Sequence, residues 1–210
     1  MEIGILAYEG AQLAATLGLR DLLDTAGSLA AERSGQLRLT ARVLEITDLS
    51  AEPVNLLTAL ILPPSLSRSR PKPLSPALAG WIKARYSEGT LLCSVCAGAF
   101  LLADLGLLDG RRATTHWAFS EVFAAQYPQV RLDTDRLLID DGDLITAGGL
   151  MAWTDVGLRL VSRYLGPVDQ RQLFLPVGDN YFCRWGPAGS AWHAGGEGAS
   201  AWSRTDKYGC

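Results

Sequence analysis

No apolar run in the 210-residue sequence approaches the roughly 20 residues that span a bilayer. The opening MEIGILAYEG has no basic leader, no long apolar core and no cleavage site, so it does not read as a signal peptide. A cytoplasmic protein without a membrane partner is expected. Strong net charge is also missing. Twenty-two acidic residues against 19 basic ones leave −3, too little for a broad attraction to nucleic acid or to an anionic surface. Arg68, Arg70 and Lys72, and then Arg111 and Arg112, read as solvated loops. There is no internal repeat, no second C-x-x-C and no H-x-x-x-H, so neither a metal nor a cofactor is expected. Four cysteines without export argue for free thiols in a reducing compartment. The last thirty residues, 181–210, lack Leu, Ile and Val altogether, yet hold six glycines and three of the six tryptophans. Aromatics without aliphatic filler build no core. This stretch is expected to be a disordered tail, or sequence foreign to the fold, following a domain over 1–180.

What is present is an alternation of short aliphatic runs with amphipathic segments. EIGILAY (2–8), RLTARVLEI (38–46), LTALILPP (57–64) and TLLCSV (90–95) read as strands, the third stopped by prolines that cannot donate to a ladder. RATTHW (112–117) reads as a short strand or strand end. RLLIDDGDLITAGG (136–149) reads as two strands around an Asp-Asp-Gly-Asp turn. Helices are expected over 11–26, with Gly27 as C-cap, and over 74–87, 97–108, 118–126 and 151–165. This order predicts a three-layer α/β/α sandwich around a mostly parallel, flavodoxin-like sheet.

Ligands bind beyond the carboxyl ends of the strands in such sheets. TLLCSV ends there at Cys96, and Ala97, Gly98 and a helix follow. That is the layout of a nucleophile elbow, in which small neighbours permit a sharp turn that raises the side chain into a crevice. The helix N-terminus is expected to lower the thiol pKa and favour the thiolate. The plainer reading is a buried cysteine packed as a small hydrophobe. Cys93 lies within the strand; three extended residues span about 10 Å, beyond disulfide reach, so Cys93 reads as core. His116, one of two histidines, follows RATT and is the candidate base or orienter, although a lone histidine is more often structural.

The run CSVCAGAFLLADLGLLDGRRATTHW resembles the PfpI-like branch of the class I glutamine amidotransferase-like superfamily. Within it, the run is most similar to the N-terminal domain of AraC-type (GlxA-like) transcription regulators and to isonitrile hydratases. The resemblance extends from GILAYEGAQ through LILPP to DDGDLITAGG and MAWTDVGLRLVSRYLG, roughly residues 2–166. It implies Cys96 as nucleophile with His116 beside it, and a ligand pocket of Ala97, Gly98, Pro64, Ser65 and Thr115. Two departures stand out. Family enzymes carry an acid in the first helix that meets the cysteine, and that place falls at about Ala15; Glu9 precedes the glycine. They also carry a glycine pair whose amides form an oxyanion hole, where this chain reads Pro63-Pro64-Ser65. Pro64 has no N–H to give.

Three functions are weighed. The favoured one is a small-molecule sensor of the AraC-type regulator kind, weak or inactive as an enzyme. It is expected without the helix-turn-helix part, because only Arg171, Arg184, Arg204 and Lys207 are basic after Leu165. DNA binding by this chain alone is therefore not expected. The alternative is a cysteine-dependent hydrolase or hydratase acting on an isonitrile or amide. The third is a homodimer without retained chemistry.

Overall fold

A computed structural model describes residues 1–34, 38–45, 56–67 and 70–166. The expectations about 181–210 lie outside the described residues. Six strands form one sheet in the order β2-β1-β3-β4-β8-β7. These are β1 (Glu2–Ala7), β2 (Thr40–Glu45), β3 (Ala59–Leu62), β4 (Leu91–Val95), β7 (Leu138–Asp140) and β8 (Leu144–Ala147). All neighbours are parallel except β7, which pairs antiparallel with β8. The helices are α1 (Leu13–Ser34), α2 (Pro76–Ser87), α3 (Gly98–Asp104), α4 (Ser120–Gln126) and α5 (Trp153–Leu165). The architecture is the expected α/β/α sandwich. Strands β3, β4 and β8 are buried along their whole length, and β1 from Ile3 to Leu6. A parallel strand covered on both faces reads as an unbroken aliphatic run, which is why these were visible in sequence.

The edges differ from the centre. β2 alternates between exposed and less exposed positions, as an outer strand does. β7 and β8 are joined by the expected turn. Gly142 adopts φ 92°, and its N–H donates to the Asp140 carboxylate at 3.1 Å. Arg111 reaches both Asp141 and Asp143, and Tyr86 donates to Asp143 at 2.6 Å. The arginine beside it holds the Asp143 carboxyl down, to about 2.

Three sequence expectations need correction. Gly27 does not cap α1 but lies inside it. A Cβ at Gly27 would stand 1.9 Å from the Leu39 carbonyl oxygen, so the residue is glycine because the chain entering β2 crosses the helix there. Helix α3 is shorter than expected and ends at Asp104, where turns at Gly106 and Gly110 with positive φ take over. RATTHW is a strand only at β5 (Arg112–Ala113), which pairs with β6 (Arg131–Leu132) in a separate two-stranded sheet. On one face, α1 and α5 interlock through small residues. The Trp153 ring fills the space over Gly18, and Leu19 and Leu22 fill that over Gly157.

The order of strands reverses between β1, which leads out to β2, and β3, which leads to β4. That reversal opens a crevice beyond the strand ends. The segments following β1, β3 and β4 all emerge there.

Candidate functional site

Among the described residues, Cys96 is the one non-glycine residue with positive φ, at 56°. Residues other than glycine avoid this region, and holding one there costs on the order of 1–3 kcal/mol. The surroundings hold it. The Cys96 N–H donates to the Ala147 carbonyl at the end of β8, at 2.7 Å. Its own carbonyl accepts from the Thr115 hydroxyl at 2.9 Å and from the Ala99 N–H at 3.3 Å. A Cβ at Gly98 would stand 2.8 Å from the Leu62 carbonyl oxygen and 3.1 Å from that of Pro63, so only glycine lets α3 start this close to β3. The strand, strained cysteine and helix form the expected elbow.

The loop after β1 is stapled to the loop after β3. The Tyr8 hydroxyl donates to the Pro63 carbonyl at 2.6 Å, and the Gln12 N–H donates to that of Pro64 at 2.7 Å. Ala11 and Ser65 form an antiparallel bridge, and the Leu66 N–H reaches the Gly10 carbonyl. Ser65 is buried, and its hydroxyl accepts from the Ser67 N–H. The two prolines therefore offer carbonyls inward but no N–H donor. The Gln12 side-chain oxygen is buried and finds no partner among the described residues.

The electrostatics overturn one expectation. Burial pushes the Cys96 thiol up from its ordinary value, and the hydrogen bond from the Ala97 backbone only partly opposes this. Cys96 is 3% exposed, not raised into solvent, so desolvation outweighs the helix N-terminus. Burial also pushes the Tyr8 phenol up, and negative charge at Cys96 would add to it. Tyr8 cannot serve the thiolate as a donor in this arrangement, because its one proton lies on Pro63.

The remaining candidates are placed as follows. Ala97, Gly98, Pro64 and Thr115 are buried. Ala15 is fully buried in the first turn of α1, one turn beyond the Gln12–Pro64 staple. Glu9 is exposed and paired with Lys72 at 2.8 Å, away from any catalytic role. His116 is half-buried, and its Nδ1 accepts from the Ala118 N–H at 3.1 Å, capping a short 3-10 turn at Trp117–Phe119. A neutral imidazole with Nδ1 accepting carries its proton on Nε2. In that tautomer Nε2 is a donor, not a base. Among the described residues no hydrogen bond joins His116 to Cys96. Tyr8 and Gln12 were missed in sequence; the available signal for Tyr8 was its position at the carboxyl end of a buried strand. No three His, Cys, Asp or Glu among the described residues could together hold a metal ion.

An open cleft of about 470 Å³ is lined by Tyr8, by Leu13, Thr16 and Leu17 of α1 and by Val43 of β2. Cys96 does not line it. For the thiols a direct outcome is expected. Brief iodoacetamide treatment modifies both Cys93 and Cys96 slowly, but Cys96 faster. Cys93 is fully buried in β4, with its thiol pushed up strongly by burial, whereas Cys96 sits at the sheet end. Peptide mass spectrometry reads the order, and faster labelling of Cys93 contradicts it.

A model of the DJ-1/PfpI family matches residues 49–163. The HTH-type transcriptional regulator CdhR of Pseudomonas aeruginosa is 37% identical over 108 residues, 51% of this chain and 31% of that protein. The isonitrile hydratase of Pseudomonas putida is 34% identical over 93 residues, 44% of this chain and 39% of that protein. The matched stretch thus spans under 40% of either relative. Among solved structures, a putative transcriptional regulator from Vibrio parahaemolyticus superposes with a TM-score of 0.66 at 22% identity, covering 84% of this chain and 96% of that one. At that identity the likeness speaks for the fold. No described helix is long and apolar enough to cross a membrane.

Proposed function

The chain belongs to the DJ-1/PfpI family, and from that premise we propose that it is the small-molecule sensor domain of an AraC-type regulator, with little or no hydrolysis left at Cys96. The observation that carries this reading is what surrounds the elbow. Fully buried Ala15 occupies the place of the family acid, and Pro63-Pro64 occupies the place of the oxyanion amides. Hydrolysis by a thiol needs a thiolate, a proton shuttle and donors for the developing oxyanion. Here burial disfavours the thiolate, and the His116 Nδ1 is committed to a backbone N–H. Loss of one oxyanion donor alone costs about 3 kcal/mol, or 10²–10³ in rate. What persists is a rigid, strained turn beside the Pro64-Ser65 loop, suited to holding a small ligand. In this reading Cys96, Ala97, Gly98, Pro64 and Ser65 wall the pocket, in a cytoplasmic protein that pairs as a homodimer.

Ligand binding is expected to appear in thermal melts of the purified chain against amino acids, their amides and isonitriles. A ligand at about 100 times its Kd adds about 2.7 kcal/mol. That corresponds to a rise of roughly 5–10 °C for a chain of this size. One chemical class should give a saturable rise; flat melts across the panel contradict the sensor. In the same reading this polypeptide alone does not bind DNA specifically. Fluorescence anisotropy against the gene's own upstream region should show no binding in the nanomolar range at physiological salt, and competitor-resistant nanomolar binding would refute this.

A second reading is a cysteine-dependent hydratase. It is favoured by the retained φ of 56° at Cys96 and by the 34% identity with an isonitrile hydratase. Turnover dependent on Cys96 separates the two.

A further inference from the structure

We propose that Thr115 is a positioning residue: its hydroxyl clamps the Cys96 carbonyl and so holds the elbow closed over its thiol. This rests on the reading of the strained Cys96 turn as a wall of the ligand pocket. The sequence places Thr115 among ligand contacts, but the geometry gives its hydroxyl another task. The side chain is fully buried, and its oxygen lies 2.9 Å from the Cys96 carbonyl oxygen. That is the one hydrogen bond the hydroxyl makes.

The strand end is built to deliver this contact. The Thr114 N–H donates to the Thr146 hydroxyl of β8 at 2.9 Å, and the Thr114 hydroxyl donates to the Arg136 carbonyl at 2.9 Å. A Cβ at Gly148 would stand 2.9 Å from the Thr115 carbonyl oxygen, so the chain leaving β8 must be glycine there for Thr115 to come this close. β5 itself pairs with β6, outside the main sheet. The Thr114–Thr115 contacts therefore tie this excursion to the sheet end at Cys96. The other groups on Cys96 come from its own turn and from β8: the Ala99 N–H and the Ala147 carbonyl. Among the described residues, Thr115 is thus the one side chain that hydrogen-bonds the Cys96 backbone. Without it, the Cys96 carbonyl keeps only the 3.3 Å bond from the Ala99 N–H, so the strained turn is held less firmly and the thiol leaves its buried pose more often.

The test compares the unmodified chain with Thr115→Val, which keeps the shape and loses the hydroxyl, and with Thr115→Ser, which restores it. Brief iodoacetamide labelling is read by mass spectrometry at Cys96 and at Cys93, which lies within β4 and is fully buried. Thr115→Val is expected to raise the Cys96:Cys93 labelling ratio by about fivefold, the factor that corresponds to one neutral hydrogen bond. Thr115→Ser should return it to the unmodified value. A parallel rise at both cysteines marks general loosening and overturns the clamp, as does an unchanged ratio in Thr115→Val. The parent reading fails separately, if thermal melts of the unmodified chain are flat across the ligand panel. The Val-to-Ser comparison still decides the clamp in that case.

Discussion

Ala15→Glu is expected to lower the pH midpoint of Cys96 alkylation by about one to two units. Ala15 is fully buried in the first turn of α1, and the family resemblance implies that the enzymes' acid stands at about this position. A carboxyl group taken out of water favours its neutral form, so the new side chain acts as a donor and not as a charge. A hydrogen bond to an ionised partner is worth about 1.5–3 kcal/mol, and one pKa unit is 1.36 kcal/mol. The sign follows. The bond forms with the thiolate, so the thiolate is favoured and the thiol, now pushed up by burial, moves down. Ala15→Gln, whose amide N–H is a weaker donor than a carboxylic O–H, should move it in the same direction but less. The larger side chains cost packing energy, about 1–3 kcal/mol, so thermal melts of both variants accompany the titration. Midpoints unchanged in both folded variants would mean that position 15 does not face the thiol.

Gly27→Ala should be among the most damaging single-methyl additions in the described residues. The added Cβ would meet backbone: the Leu39 carbonyl oxygen at 1.9 Å and its carbon at 2.9 Å. Backbone cannot rotate aside, so α1 and β2 must separate. Overpacking of this kind costs about 3 kcal/mol or more, against roughly 1 kcal/mol gained from replacing glycine in a helix. The net loss of about 2 kcal/mol lowers the melting temperature by roughly 4–8 °C. Gly80→Ala in α2 is the counter-case. Nothing lies within 4 Å of its new methyl, so the helix gain remains and the melting temperature rises by roughly 2–4 °C. Equal melting of the two variants would contradict the close α1–β2 crossing.

These two glycines also show where sequence reasoning ran out. Gly27 looks like a C-cap because it follows an apolar helical pattern. The reason it is glycine lies in Leu39, twelve residues on and visible only once β2 is docked. The central strands were legible because burial on both faces leaves them aliphatic, and the elbow was legible because Cys-Ala-Gly follows such a strand. Strand pairing of two residues, as in β5 and β6, carries no periodicity, so the excursion that brings Thr115 to Cys96 could not be foreseen. The direction of the thiol shift was misjudged for a related reason. A helix N-terminus is visible in sequence, whereas the burial that outweighs it appears only once the chain is folded and leaves Cys96 3% exposed.

The sensor reading and the enzyme reading divide at a single measurement, steady-state turnover of an isonitrile and of a simple primary amide by the unmodified chain and by Cys96→Ser. With Ala15 in the acid's place and prolines in the oxyanion loop, the account predicts no turnover that depends on Cys96, so the two proteins give the same background rate. Saturable turnover by the unmodified chain, abolished in Cys96→Ser, would contradict it and make this a hydratase.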